Sequence, residues 1–349
     1  MSAPFTFHLP QELSAKEPPE RRGLPRDHVR LLAVERASGA VAHTRFDHIG
    51  EYLRAGDLLV FNSSRTLPAS LKGCGALVGP CIEVRLAQQL PDGTWLALLL
   101  CERGDPFGCG LRPSMEIDFA EELRGLVLER DEAIPRLWRM SFSKSGPELI
   151  DLIYRLGTPI RYEYVSAPWD LDYYQTVFAQ QPGSAEMPSA GRAFTWRLLF
   201  DLRRRGMAAA YLVLHTGLSS YMDDALDRAQ PASTEQYFVS EETAAKINAV
   251  RAAGGRVIAV GTTVVRALES VADRDGTVAG GQGYTRLHIT ADHTLRAVDG
   301  LLTGLHEPEA SHLDLLSAFL PAKTIQAVYE DAVHRRYLWH EFGDLNLIL

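Results

Sequence analysis

From residue 196 to residue 272 the chain keeps alternating two kinds of segment. Helical patterns ("WRLLFDLRRRG", "EETAAKINAVRAAG", "TTVVRALESVA") trade places with short β-branched apolar runs ("AAAYLVLHTG", "RVIAVG"). Helices of that length between strands return the chain to the start of the next strand, and the strands therefore run parallel. A run apolar at consecutive positions, such as Val257 to Val260, suits a strand covered on both faces. The prediction is an α/β fold, a mainly parallel sheet covered by helices.

Between residues 68 and 155 the texture differs. The segments "ASLKGCG", "PCIEVRLAQQL", "TWLALLLC", "SMEIDFA", "LRGLVLER" and "PRLWRMSF" are short and separated by Gly, Pro and Asp turns, the pattern of a small antiparallel β-barrel. The expected organisation is a discontinuous α/β catalytic domain, 1–67 and 156–349, with an inserted barrel domain at 68–155; 349 residues leave room for both. The longest apolar stretches fall far below the roughly 20 residues of a membrane-spanning helix, and the N-terminus has no apolar h-region. A cytoplasmic protein without a membrane partner is expected. Cys74, Cys81, Cys101 and Cys109 lack CxxC zinc spacing and read as reduced thiols, with no metal site.

A net charge of −8 argues against a protein that coats nucleic acid nonspecifically, and leaves open one that docks RNA on a local basic patch. The densest basic spots, Arg203 to Arg205 and His334 to Tyr337, read as solvated helix ends whose cations complement the helix dipole. The barrel segment "EIDFAEELRGLVLERDE" is too acidic to serve as a phosphate track.

Polar residues gather at the predicted strand ends: Asn62 with Arg65; His215; Gly261, Thr262 and Thr263, with Arg266 and Glu269 on the helix that follows; Thr303 and His306. Thr262 or Thr263 offers an N-cap hydroxyl to that helix. Loops at the carboxyl ends of parallel strands converge on one crevice, the expected binding site. In "EMPSAGRAFTW", Pro188, Ala190 and Gly191 let the backbone approach a ligand closely. "GGQGYTR" lacks GxGxxG spacing and reads as a hairpin turn, and no HExxH, P-loop or GxSxG occurs.

The segments "FHLPQELSAKEPPERR", "RLLAVERASGAVAHTRF", "GDLLVFNSSRTLPASLKG", "YYQTVFAQQPGSAEMPSAGRAFT", "RVIAVGTTVVRALES", "VDGLLTGLHEPEASHLDLLSAF" and "FGDLNLIL" resemble, in the same order and nearly end to end, the S-adenosylmethionine:tRNA ribosyltransferase-isomerase family of queuosine biosynthesis. The resemblance implies transfer of the ribosyl part of S-adenosylmethionine to 7-aminomethyl-7-deazaguanine in tRNA, giving epoxyqueuosine, adenine and methionine. It implies S-adenosylmethionine as co-substrate with no tightly bound cofactor, tRNA as partner, and a monomer or small homo-oligomer. Such chemistry needs a base beside the sulfonium, a donor for departing adenine and donors for oxygen charge on the ribose. His215 and His306 are the candidate proton shuttles, with Glu235 as carboxylate partner and Arg65 and Arg266 as orienting groups. Asn62, Tyr174, Gln175, Pro188, Ala190, Gly191, Phe194, Gly217, Gly261, Thr262, Thr263, Glu269, Thr303 and Asp344 are the candidate substrate-binding residues.

The chain departs from the family pattern in several of these motifs. "APTAGLHFT" reads "MPSAGRAFT", bringing in Arg192 and Ala193; "LHVGxGTFxPV" reads "LHTGLSSYMDD"; "HxMHSE" reads "QPASTE", with Gln230 and Ser233 for two histidines while Glu235 remains. "TNFHLPxSTL" reads "TGLHEPEASHL", bringing Gly304, Glu307 and His312; "PLPPYI" reads "TPIRYEY"; "SYGDAM" reads "EFGDLN". New charges change which acceptor fits. Two alternatives therefore stand beside the tRNA enzyme: a paralogue acting on a different small-molecule acceptor, and a non-catalytic binding protein.

Overall fold

The computed structural model describes residues 7–75, 81–101, 111–229, 234–308 and 310–349. The chain opens with a hairpin, β1 (Arg30–Val34) and β2 (Val41–Arg45), then enters β3 (Leu58–Asn62) and the short β4 (Ser64–Thr66). Next come β5 (Ser70–Gly75), β6 (Ile82–Gln89), β7 (Trp95–Cys101), β8 (Glu116–Asp118), β9 (Arg124–Arg130) and β10 (Leu137–Phe142), followed by α1 (Gly146–Leu156). β11 (Gln181–Ser184), α2 (Trp196–Arg204), β12 (Ala208–Leu214) and α3 (Asp224–Ala229) lead to β13 (Glu235–Val239) and α4 (Glu241–Ala252). β14 (Val257–Val260), α5 (Thr262–Val271), β15 (Gly281–Thr285), β16 (Gly300–Gly304), α6 (Ser311–Leu316), α7 (Ala322–His334) and β17 (Leu345–Ile348) complete it.

The large sheet has nine strands in the order β15-β13-β12-β3-β14-β16-β17-β1-β2. Its centre, β12-β3-β14-β16, is parallel, as the alternation predicted. Its flanks are mixed: β13 and β15 add antiparallel on one side, and β17 runs back antiparallel to β16 before pairing parallel with β1. Strand alternation divides the core between the two faces. Leu58 and Val60 pack with Leu212 and Val257 beneath α4, α5 and α7, whereas Leu59 and Phe61 pack with Ile258, Val260 and α2.

Strands β5 to β10 close into the expected antiparallel barrel, in the order β10-β7-β6-β5-β8-β9. Trp95, Val84, Leu98, Val127 and Met140 belong to its core, and α1 packs on it through Leu149, Leu152 and Ile153.

Two sequence readings change. "GGQGYTR" is β15, an edge strand paired with β13 rather than a hairpin turn; glycines are tolerated there because one side of the strand faces no neighbour. Cys101 is disulfide-bonded, against the reading of four reduced thiols; Cys109, like Gln230 and Ser233, lies outside the described residues. No described helix is long and apolar enough to cross a membrane.

Candidate active site

The carboxyl ends of β12, β3, β14 and β16 share one edge of the sheet. The starts of the antiparallel strands reach the same edge, since Glu235 opens β13 beside the end of β12 and Leu345 opens β17 opposite Gly304. Here the chain leaves four strand ends and receives two strand starts. Polar side chains from all six can meet.

At the floor lies the corner after β14. Gly261 has φ 104° and ψ 148°, a backbone conformation nearly closed to residues with a side chain, and it is the N-cap of α5 with no side-chain cap. Thr262 and Thr263 are therefore inside the first turn, not the cap, and both are buried. A Cβ at Gly261 would stand 3.7 Å from the Ala190 methyl, so the turn of Ser189–Gly191 covers this corner and Ala190 and Gly191 belong to the floor, with Pro188 capping the turn.

His215, one residue past β12, is held through one ring nitrogen. Its Nδ1 bonds the Ser64 hydroxyl at 2.8 Å, Ser64 bonds Ser184 at 2.6 Å, and the Thr216 N–H donates to Ser184 at 3.0 Å. Burial pushes its pKa down to about 4, so the ring is neutral at pH 7. No described group hydrogen-bonds its Nε2.

On the other side, Thr303 Oγ1 bonds His306 Nε2 at 2.7 Å, and His306 stacks flat on His312 with centroids 4.4 Å apart. Burial holds both imidazoles neutral. His306 lies well below the usual histidine range, with His312 and His340 adding repulsion, and His312 is pushed down to about 4, with Arg266 adding to the effect. Arg266, one turn into α5, is ion-paired with Glu235. Glu235, expected as the carboxylate partner of a histidine, pairs with the arginine instead.

The wall between these groups was not read from the sequence. Tyr162 and Tyr164 stack at 6.1 Å, and Tyr164 stacks on His340 at 4.0 Å. The Tyr162 hydroxyl donates to Glu186 and the Tyr164 hydroxyl to Glu341. Burial raises the pKa of Glu186 to about 7, its hydrogen bonds from Tyr162 and Ser219 opposing the shift only in part. Burial raises the pKa of the Tyr221 hydroxyl well above its ordinary value, with Glu235 and Glu186 adding to the shift.

Other predicted residues hold the scaffold. Asn62 is consumed in stitching β3 to β12, donating to the Leu214 carbonyl at 2.8 Å and accepting the Leu214 and Ser64 N–H groups at 3.0 Å each; its Nδ2 also reaches Thr263 at 3.3 Å. Arg65 is exposed over the Tyr154 ring, because strand alternation turns it away from the side on which Ser64 meets His215. Gln175 clamps the Thr66 backbone through both amide atoms, and Tyr174 packs on Phe342. Phe194 is wedged edge-to-face between Phe46 and Phe61. Glu269 accepts the Arg296 and Ala297 N–H groups, Asp344 accepts those of Arg30 and Leu338, and Gly217 lies against the barrel at Ala87. The newly charged Arg192 donates to the Tyr173 carbonyl at 2.7 Å and pairs with Glu20 at 2.8 Å. Sequence alone does not show which backbone groups lack partners, and these side chains supply them.

The family of queuosine biosynthesis proteins matches residues 2–348. An S-adenosylmethionine:tRNA ribosyltransferase-isomerase of Symbiobacterium thermophilum is 41% identical, over 99% of this chain and 98% of its own. One from Moorella thermoacetica is 38% identical over the same shares. The crystal structure of an S-adenosylmethionine tRNA ribosyltransferase from Thermotoga maritima is similar with a TM-score of 0.55 and 32% identity, covering 99% of each chain.

Proposed function

The chain belongs to the family of queuosine biosynthesis proteins, and from that premise we propose that it is an S-adenosylmethionine:tRNA ribosyltransferase-isomerase. In this reading the ribosyl part of S-adenosylmethionine passes to 7-aminomethyl-7-deazaguanine in tRNA and is isomerised, with adenine and methionine released. What carries the reading is the end-to-end likeness to enzymes of that name.

Its own groups suit the steps. A proton must leave the carbon next to the sulfonium, and His215 is a neutral imidazole anchored at Nδ1 with Nε2 unengaged, the form a general base needs. Adenine must leave with a proton, and Glu186, whose pKa sits near 7, can hold one at neutral pH. The Arg266–Glu235 pair provides charged groups to orient ribose hydroxyls, and the first turn of α5 above Gly261 provides free N–H groups for nucleoside oxygens. His306, bonded to Thr303, completes the opposite side as the second proton shuttle.

The test is incubation of the purified protein with S-adenosylmethionine, with and without tRNA carrying the aminomethyl-deazaguanine base, followed by mass spectrometry. Adenine, methionine and an epoxycyclopentanediol mass gain on the tRNA are expected. Measurable S-adenosylmethionine binding with no modified nucleoside would sink the tRNA reading and favour a small acceptor.

A further inference from the structure

The β13–β15 flank of the large sheet continues outward from His215. The His215 N–H donates to the Gln236 carbonyl at 2.9 Å, which extends the β12–β13 register by one pair, and Gln236 stands opposite Tyr284 on β15. Residues directly opposed on antiparallel strands share a face, with Cβ atoms about 5 Å apart. His215, Gln236 and Tyr284 therefore form one line across three strands, and Phe238 and Gln282 belong to the next line on the same face.

The barrel turns this face into a groove. The β6–β7 turn, through Gln89, Leu90 and Gly93, faces Gln236, Gln282 and Tyr284 across about 480 Å³. None of the three glutamine side chains hydrogen-bonds a described residue. Tyr284 and its neighbour on this face, Phe238, are exposed at 38% and 43%. Arg286, two residues beyond Tyr284, bonds Thr234 and pairs with no carboxylate among the described residues. Asp92, the acid of the β6–β7 turn, is ion-paired with Arg139 and does not line the groove. Amides that donate and accept, an aromatic plane and an arginine match the edge, the face and the phosphate of an unpaired nucleotide. A small co-substrate is mostly enclosed by its pocket, whereas this groove lies open along an edge strand and suits a segment of a longer chain.

We propose that the groove binds the unpaired nucleotide next to the acceptor base in the RNA strand, stacking its base on Tyr284 and reading its edge with Gln236 and Gln282. The proposal rests on the ribosyl-transfer reading, which brings the acceptor base to the His215 end of the line. The adenine of S-adenosylmethionine has the same chemistry, and the test separates the two sources.

The variants are Tyr284→Ala, Tyr284→Phe and the double variant Gln236→Ala with Gln282→Ala. The KM of modified tRNA is measured by adenine release, S-adenosylmethionine Kd by calorimetry, and tRNA Kd by fluorescence anisotropy without turnover. Tyr284→Ala is expected to raise tRNA KM and Kd about tenfold, the loss of one base stack, with S-adenosylmethionine Kd within twofold and kcat within threefold of wild type. Tyr284→Phe keeps the ring and should stay within threefold throughout. RNA hairpins made abasic on one or the other side of the acceptor should include one that binds wild type about tenfold more weakly but Tyr284→Ala less than threefold more weakly. Constants for tRNA within twofold of wild type in both alanine variants overturn the proposal. A tenfold rise in S-adenosylmethionine Kd with tRNA Kd unchanged also overturns it and gives the groove to adenine. Should a variant fold poorly, the hairpins are compared on wild-type protein, and equal affinity for both abasic forms and the intact loop overturns the proposal. Wild-type protein that binds S-adenosylmethionine and tRNA but modifies none sinks the ribosyl-transfer reading instead, and the anisotropy comparison still decides the groove.

Discussion

Two glutamates at comparable burial separate scaffold from site. Glu269 accepts two backbone N–H groups, Arg296 at 3.0 Å and Ala297 at 2.9 Å, and sits 3.2 Å from His293, so its oxygens are spent on a loop. Glu235 has a different partner, the guanidinium of Arg266. Replacing Glu269 by Gln leaves one buried acceptor as a donor facing an N–H, a change that costs about 1–3 kcal/mol. Glu269→Gln should therefore lower the melting temperature by several degrees with kcat/KM within threefold of wild type. Glu235→Gln should do the reverse, losing at least tenfold in kcat/KM while melting within two degrees of wild type. Thermal melts and adenine-release kinetics on both proteins check this, and a Glu269 variant that is stable but inactive would return that residue to the site. The sequence could not make the distinction, because both residues read as acids near a strand end and only the closed fold shows which N–H groups are left without partners.

At the level of elements, β11 matters through what it lacks. Gly183 lies beneath the His215 ring, and a Cβ there would come within 2.5 Å of the imidazole. The parallel pairing of β11 with β4 holds Ser184 against Ser64, so one short strand supplies both the hydroxyl relay and the space for the ring. Gly183→Ala should push the imidazole off Ser64 and cost on the order of 100-fold in kcat, the penalty of a catalytic group misplaced by about 1 Å. S-adenosylmethionine affinity should change less than threefold, as calorimetry would show; an unchanged kcat would remove His215 from the chemistry. The strands carrying His215, Thr303 and the Gly261 corner were legible because helix-strand alternation dictates where parallel strands end. Antiparallel β17 was not, since nothing in a short apolar run states its direction. With it went His340 and Glu341, which reach the crevice only because β17 starts where β16 ends. Tyr162, Tyr164 and Glu186 come from loops without periodicity, and no pattern in the sequence marks them as neighbours.

For the whole molecule, the crevice ties stability to pH. Folding holds His215, His312 and His340 down at about 4 and His306 well below its ordinary 6.5. In the unfolded chain these four imidazoles take protons as pH falls through 6.5, whereas in the fold His215, His312 and His340 stay neutral until near pH 4 and His306 is likewise held neutral well below its ordinary range. Their contribution is therefore complete above 6.5 and is lost on acidification. Glu186, raised to about 7, and Glu307 and Glu341, also raised, act in the opposite sense: the fold holds their protons at pH values where the unfolded chain has released them. Glu307 is largely exposed and contributes little through solvent screening. Four groups that gain protons on unfolding outweigh three that lose them, so stability should fall by roughly 2 kcal/mol per pH unit between pH 6.5 and 5. Urea melts at pH 7.5, 6.5, 5.8 and 5.0 measure the slope. His312→Asn removes one of the four, and with it the flat stack against His306, so its profile should be shallower by up to about 1.4 kcal/mol per pH unit. A wild-type slope near zero would mean that water reaches these rings freely and that they titrate like exposed histidines. In that case the crevice would not keep His215 neutral by burial, and a base at that position would have to be sought at higher pH, in the activity profile rather than in the fold.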